Sequence, residues 1–285
     1  MKFSKKLYIF VLVIFFFISI LSGCSSVETS SEKSNYSGLK VSYIDVGQGD
    51  SELIQVNGKN LLIDSGPNDS ESNIMTYLKK ENITKLDYVI ATHPHEDHIG
   101  NMAQIIKKYE IDSFIAPKKV VNTKTFENMI EALKEKDMKI TVPHPGDTLD
   151  LGENVKAEIL APNSSSYPDT NNYSVVLKIT YANTSFLFTG DAEKTSEAEM
   201  LNNNYDLSSD VLKVGHHGSS TSTTEDFLNN VNPKIAVISC GKDNKYGHPN
   251  RKTLNNLKKK NIQVYRTDID GTIVLLSDGD KITKE

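Results

Sequence analysis

Thr92-His93-Pro94-His95-Glu96-Asp97-His98-Ile99-Gly100 follows directly on the apolar run 86–91 and packs three histidines and an aspartate into six positions. The run before it reads as a β-strand, so the loop is presented at the end of a rigid element. In extended chain His93 and His95 project from one face, because side chains repeat every two residues. Pro94 holds the backbone between them and does not chelate. Asp97 and His98 stand at the turn into the next helix and face a neighbouring point. One loop thus offers two imidazoles to one cation, and a carboxylate plus an imidazole to a second. A solvated helix cap would account for Asp97 alone but not for the four together. The chain has seven histidines, and six of them fall at 93/95/98, 216/217 and 248.

The other metal-type residues also follow strand-like runs. Asp191 closes Phe186-Leu187-Phe188-Thr189-Gly190-Asp191. A carboxylate at the end of a buried strand is costly unless paired or bound to a cation, so Asp191 is a candidate bridge between two ions. Its competing role is to cap the helix that starts near Glu193. Asp64, in Leu62-Ile63-Asp64-Ser65-Gly66, lies much earlier and is assigned an orienting role behind a ligand. In Lys213-Val214-Gly215-His216-His217-Gly218-Ser219, two adjacent histidines point apart on extended chain. One of them binds metal, and the other donates a proton or a hydrogen bond. Tyr246-Gly247-His248-Pro249 adds a lone histidine, either a surface residue or the last ligand of the set.

Outward from these loops, short β-like runs cover 40–46, 51–56 and 60–64, with Asn57-Gly58 a hairpin signal between the last two. Further strands are expected at 86–91, 155–160, 174–180, 185–188, 211–214, 235–239, 263–266 and 272–276. Helical spacing marks 74–80, 99–109, 126–136, 193–201, 225–230 and 252–260. Strands outnumber helices and many are continuously apolar, which implies sheets covered on both faces. Two mixed sheets facing each other with helices outside satisfy the pattern, an α+β architecture.

Residues 1–23 are set apart as a secretory signal: Lys2, Lys5 and Lys6, then the apolar run 7–21, then Leu21-Ser22-Gly23-Cys24. Those last four residues resemble the lipobox of bacterial lipoproteins, which makes Cys24 the lipidated residue. An uncleaved anchor is the competing reading, although the run is short for a membrane span. Either version expects a cell-membrane, extracytoplasmic location. Residues 24–38, rich in Ser, Glu, Asn and Thr, read as a flexible tether, and 39–285 as one large domain. The chain carries 32 basic and 37 acidic side chains; without the three leading lysines the balance is 29 against 37, near −8. Such an acidic chain lacks the basic footprint of a dedicated nucleic-acid binder. With Cys24 lipidated, Cys240 stands alone, so no intrachain disulfide is expected.

Taken in order, the motifs resemble the metallo-β-lactamase superfamily of dinuclear hydrolases, and within it the extracytoplasmic hydrolase-like domain of ComEC DNA-uptake proteins. The stretches that carry the likeness are Asp45-Val46-Gly47-Gln48-Gly49-Asp50-Ser51, the Asp64 run, the 92–98 loop, Asn171-Asn172-Tyr173-Ser174, the Asp191 run, Gly215-His216-His217-Gly218-Ser219 and Tyr246-Gly247-His248-Pro249. The resemblance implies a four-layer αββα sandwich. It implies one ion on His93, His95 and a later histidine, a second on Asp97, His98 and His248, and Asp191 as bridge. The usual further histidine before the bridging aspartate is missing, since that stretch reads Asp169-Thr170-Asn171-Asn172-Tyr173. His217 is inferred to fill the gap, as in the related surface phosphorylcholine esterases, with His216 as the alternative.

Neutral imidazoles and carboxylates suit two divalent ions, zinc or manganese. Such a pair lowers the pKa of a shared water and stabilises the attacked and leaving oxygens. His216 is the candidate general acid and, with Asp97, completes the candidate catalytic pair. Asn171, Asn172 or Ser219 would hydrogen-bond substrate. A phosphodiester, in DNA or a phosphorylated envelope polymer, is the favoured target, with a possible link to DNA uptake. True β-lactamases usually carry cysteine or serine at the bridging position. A non-catalytic surface accessory that binds DNA or a partner is the rival reading.

Overall fold

The computed structural model describes residues 36–285. The apolar run 7–21, Cys24 and residues 24–35 of the expected tether lie outside the described residues.

Alternating apolar side chains build the first sheet. Strands β1 (Leu39–Tyr43), β2 (Glu52–Val56) and β3 (Lys59–Ile63) run antiparallel. Asn57 and Gly58 both take positive φ at the tight turn between β2 and β3, as a two-residue hairpin requires. Strands β4 (Lys85–Ile90), β5 (Glu110–Ile115) and β6 (Ile140–Thr141) then add in parallel.

The second sheet opens with an antiparallel meander, β7 (Thr148–Leu149), β8 (Val155–Ala161), β9 (Val176–Tyr181) and β10 (Thr184–Phe188). It continues in parallel through β11 (Val211–Lys213), β12 (Ile235–Ile238) and β13 (Gln263–Arg266). The last strands, β14 (Ile273–Ser277) and β15 (Ile282–Lys284), return to the first sheet, where β14 pairs antiparallel with β1.

Three apolar layers hold this together. Val41, Ile54, Leu61, Ile63 and Ile90 of the first sheet pack with Ile159, Leu177, Phe186 and Val211 of the second, all buried. Leu62, between Leu61 and Ile63, points the other way and meets the helices of the first sheet's outer face. These are α1 (Glu71–Lys80), α2 (Glu96–Ile99), α3 (Met102–Lys108) and α4 (Lys124–Glu135). On the far side α5 (Lys194–Asn202), α6 (Glu225–Val231) and α7 (Arg251–Lys259) cover Leu187, Leu212 and Ala236 through Met200, Leu228 and Leu257. The layers run helix, sheet, sheet, helix.

Besides the short strands β6, β7 and β15, which were not expected, two features depart from the sequence reading. The helix expected over 99–109 is split at Gly100 and Asn101, because the buried Asn101 amide donates to the carbonyls of Ser65 (2.9 Å) and Pro67 (2.6 Å). Strand β5 was not expected: Glu110 and Asp112 hide its period, since beside the two-residue β6 its first turns of chain stay exposed.

Candidate metal centre

The ends of β3, β4, β10 and β11 lead into the loops that carry the expected residues, and folding gathers those loops at one edge of the sandwich. Asp64 follows β3 and is fully buried with φ 56. Its Oδ1 accepts from the Thr92 N–H (2.8 Å), and its Oδ2 accepts from the Thr92 hydroxyl (2.6 Å) and from His98 Nδ1 (2.7 Å). With its own proton committed to Asp64, the Thr92 oxygen is free to accept from His93 Nδ1, 3.2 Å away. One carboxylate therefore contacts one ring directly and the other through Thr92, and both Nε2 atoms face the centre.

Metal-type side chains converge in three groups; Asp50, Asp64 and His98 form one, and the other two share Asp191. His93 Nε2 lies 2.9 Å from His95 Nδ1 and 3.9 Å from Asp191 Oδ2. Beside them Asp97, His98, Asp191 and His217 converge: His98 Nε2 is 3.3 Å from Asp191 Oδ2, and His217 Nε2 is 3.2 Å from Asp97 Oδ2 and 3.6 Å from Asp191 Oδ1. Asp191 belongs to both groups, and the ligand atoms of each lie within 4.8 Å of one another. Asp191 is held by its backbone N–H, which donates to Ser174 Oγ at 3.0 Å. His98 Nε2 and Asp191 Oδ1 are buried polar atoms without a hydrogen-bond partner. Such atoms are costly, and these two are accounted for if they face a cation.

The charge balance points the same way. Burial alone would lower the pKa of His98, but Asp191, Asp64 and Asp97 outweigh it and hold the ring well above the imidazole range. His217 is likewise pushed up to about 10 by Asp191 and Asp50 against its burial. His93 moves the other way, held well below by burial and by the neighbouring His98. The carboxylates around these rings thus favour positive charge at the centre, which a divalent cation would supply.

Sequence reasoning passed over three residues that shape the site. Lys213, buried at the end of β11, donates to Asp50 Oδ2 at 2.6 Å. Asp50 Oδ1 lies 3.2 Å from His217 Nδ1, which also donates to the Ser239 carbonyl at 2.9 Å. These contacts turn His217 Nε2 towards Asp97. Glu193 Oε1 is 3.3 Å from His216 Nδ1 and accepts the Thr221 hydroxyl at 2.6 Å. Asp50 was visible only as a motif letter, and Glu193 only as a helix start.

A cleft of about 760 Å³ opens over the centre, lined among others by His95, Asp97, Asn171, Asp191, His216 and Tyr246.

A model of the Metallo-beta-lactamase superfamily matches residues 44–242. The chain belongs to this superfamily. ComE operon protein 3 of Bacillus subtilis is 35% identical over 252 residues, covering 82% of this chain and 32% of that protein. Recombination protein 2 of Haemophilus influenzae is 30% identical over 239 residues, covering 82% of this chain and 28% of that one. The chain spans about a third of the length of these curated relatives. Among solved structures, Igni18, a metallo hydrolase from Ignicoccus hospitalis, shares the fold with a TM-score of 0.56 at 17% identity, over 82% of this chain and 98% of that one. Competence protein ComA of Neisseria gonorrhoeae is a further relative, 29% identical over 259 residues, and this chain's own His/Asp clusters suit a divalent metal.

Within the metallo-β-lactamase fold, the expected partition of ligands differs from the arrangement found. His217 was expected beside His93 and His95, and His248 beside Asp97 and His98. The brace from Asp50 and Ser239 instead puts His217 with Asp97 and His98. His248 joins neither group. Asn244 takes its N–H (3.0 Å) and its carbonyl (2.6 Å), and its ring packs against Tyr246 and, 5.6 Å away, His216. His216 approaches Asp191 from the cleft, with Nε2 3.6 Å from Oδ2.

Of the three residues expected to contact substrate, Asn171 lines the cleft. Asn172 is turned away: its Oδ1 accepts the N–H groups of Glu193 (3.3 Å) and Ser196 (3.1 Å), capping α5. Ser219 is buried against Thr221 at 3.0 Å.

Proposed function

We propose that the chain is a dinuclear phosphodiesterase acting on DNA or a phosphorylated envelope polymer, held at the outer face of a membrane through Cys24. The observation that carries this reading is the position of Asp191, buried at the floor of an open cleft and shared by two separate donor groups. His93, His95 and Asp191 would hold one divalent cation, and Asp97, His98, His217 and Asp191 the other. Imidazole and carboxylate without thiolate suit zinc or manganese. Two such cations supply charge compensation for a phosphate and an acidified water.

The protein's own groups do the rest. Asp64 and Asp50 fix the rings of His93, His98 and His217, so the donors need no rearrangement. His216 has its Nδ1 against Glu193 and its ring partly buried but lining the cleft, placed to give a proton to the leaving oxygen. The Asn171 side chain, on the same wall, is available to a phosphate oxygen.

Full-length protein reconstituted with zinc or manganese should bind about two ions per chain and turn over bis(p-nitrophenyl) phosphate or DNA, with activity lost on chelation. Less than one ion per chain, or no turnover of any phosphodiester, would sink the reading. His216→Ala should retain metal while losing about 10²–10⁴-fold in turnover.

A further inference from the structure

One stretch of the cleft wall, Asn244-Lys245-Tyr246-Gly247-His248, takes no part in either donor group. Tyr246 is 57% exposed, one of few large side chains with apolar surface so placed among the described residues. Its loop is braced from within. Asn244 Oδ1 accepts the N–H groups of Tyr246 (3.2 Å) and His248 (3.0 Å), while its Nδ2 donates to the carbonyls of Gly241 (2.9 Å) and His248 (2.6 Å). The Tyr246 ring stacks on that of His248, with centroids 5.9 Å apart and planes 19° from parallel. The His248 ring in turn lies 5.6 Å from His216, which approaches Asp191. Lys245 Nζ sits 5.2 Å from the Tyr246 centroid, and among the described residues it makes no ion pair.

A braced, exposed aromatic ring beside a phosphate-binding floor matches the way single strands are gripped, with bases stacked on aromatic faces and cations on the backbone. We propose that Tyr246 is a stacking platform for the nucleobase next to the scissile phosphodiester, with Lys245 meeting a flanking phosphate. This rests on the phosphodiesterase reading and narrows it, because a phosphorylated envelope polymer offers no planar base. It also selects single strands over duplex, in which base faces are already stacked on one another.

The test uses the full chain and two fluorescein-labelled 12-mers, oligothymidylate and an abasic tetrahydrofuran analogue with the same phosphates. Anisotropy in chelator measures binding, and cleavage after metal addition measures turnover. The wild type should prefer oligothymidylate by roughly tenfold or more in both. Tyr246→Ala should lose most of that preference and Tyr246→Phe should keep it. Lys245→Ala should weaken both oligomers and flatten the salt dependence. Equal handling of the two oligomers by the wild type, an equal loss on both in Tyr246→Ala, or binding of neither, overturns the proposal. Base-dependent binding with no cleavage would instead defeat the phosphodiesterase reading and leave the platform standing. Cleavage without base preference does the reverse.

Discussion

Lys213 and Asp50 form an ion pair at 2.6 Å with each side chain 1% exposed. Removing one partner of such a pair strands the other charge in a low-dielectric interior, at a cost of about 3–5 kcal/mol. Lys213→Met should show that loss in urea unfolding, and adding Asp50→Asn should recover part of it. Strictly additive losses would mean that the two groups do not compensate each other. The pair could not be read from sequence, because its members lie 163 positions apart and Lys213 ends an apolar strand, where it looks like a surface residue. The histidines were legible for the opposite reason: three of them share one loop, so local spacing already fixes their relation. Which of His216 and His217 turns inward depends on Ser239 and Asp50, and no local pattern holds that information. Cys240 offers a second check at this scale. Burial, with Asp268 nearby, pushes its thiol up to about 12 from an ordinary 9.0. The neutral thiol is thus favoured in the fold, and its stabilising contribution declines as pH rises above about 9. Iodoacetamide at pH 8 should label Cys240 far more slowly in native protein than in urea; equal rates would contradict its burial.

Among the elements, the first metal loop is fixed by two close approaches of backbone. A Cβ on Gly100 would lie 2.4 Å from Asn68 N and 2.5 Å from Gly66 O, and one on Gly49 would lie 2.3 Å from Asp97 O. Both clashes are with backbone, so Gly100→Ala must part α2 from the 66–68 turn. It should cost about 1–3 kcal/mol as overpacking does, read as a lower urea midpoint. A midpoint equal to wild type would show that the turn yields freely. By contrast Thr224→Ala meets no backbone clash and removes, with the γ-methyl, the hydroxyl that caps α6 by accepting the Phe227 N–H at 3.4 Å. About 1 kcal/mol is expected there. Most helices could be read because each shows one face to an apolar layer, and most strands because both of their faces do. Elements whose shape is set by neighbours could not: the break before α3 follows from Asn101, and β5 is defined by its partners.

For the molecule as a whole, the four-layer order followed from apolar runs too continuous for single-sided sheets, whereas the return of the last strands to the first sheet carried no local signature. The centre draws on loops from both halves, and Asp64, Asp97 and Asp191 converge there. Binding to the native state alone should therefore stabilise the fold by about 2.7 kcal/mol per site at a hundredfold excess over Kd, read as a thermal midpoint that rises with zinc concentration. Chelator should reverse the shift; a midpoint indifferent to both would mean that the fold does not sense the ion. The route of the chain has a last consequence. Because β14 lies against β1, residues 273–277 shield one margin of the first described strand. Trimming the C-terminal dozen residues would uncover a row of unsatisfied amides and carbonyls along β1, and clipped protein should self-associate edge to edge before it loses its helices.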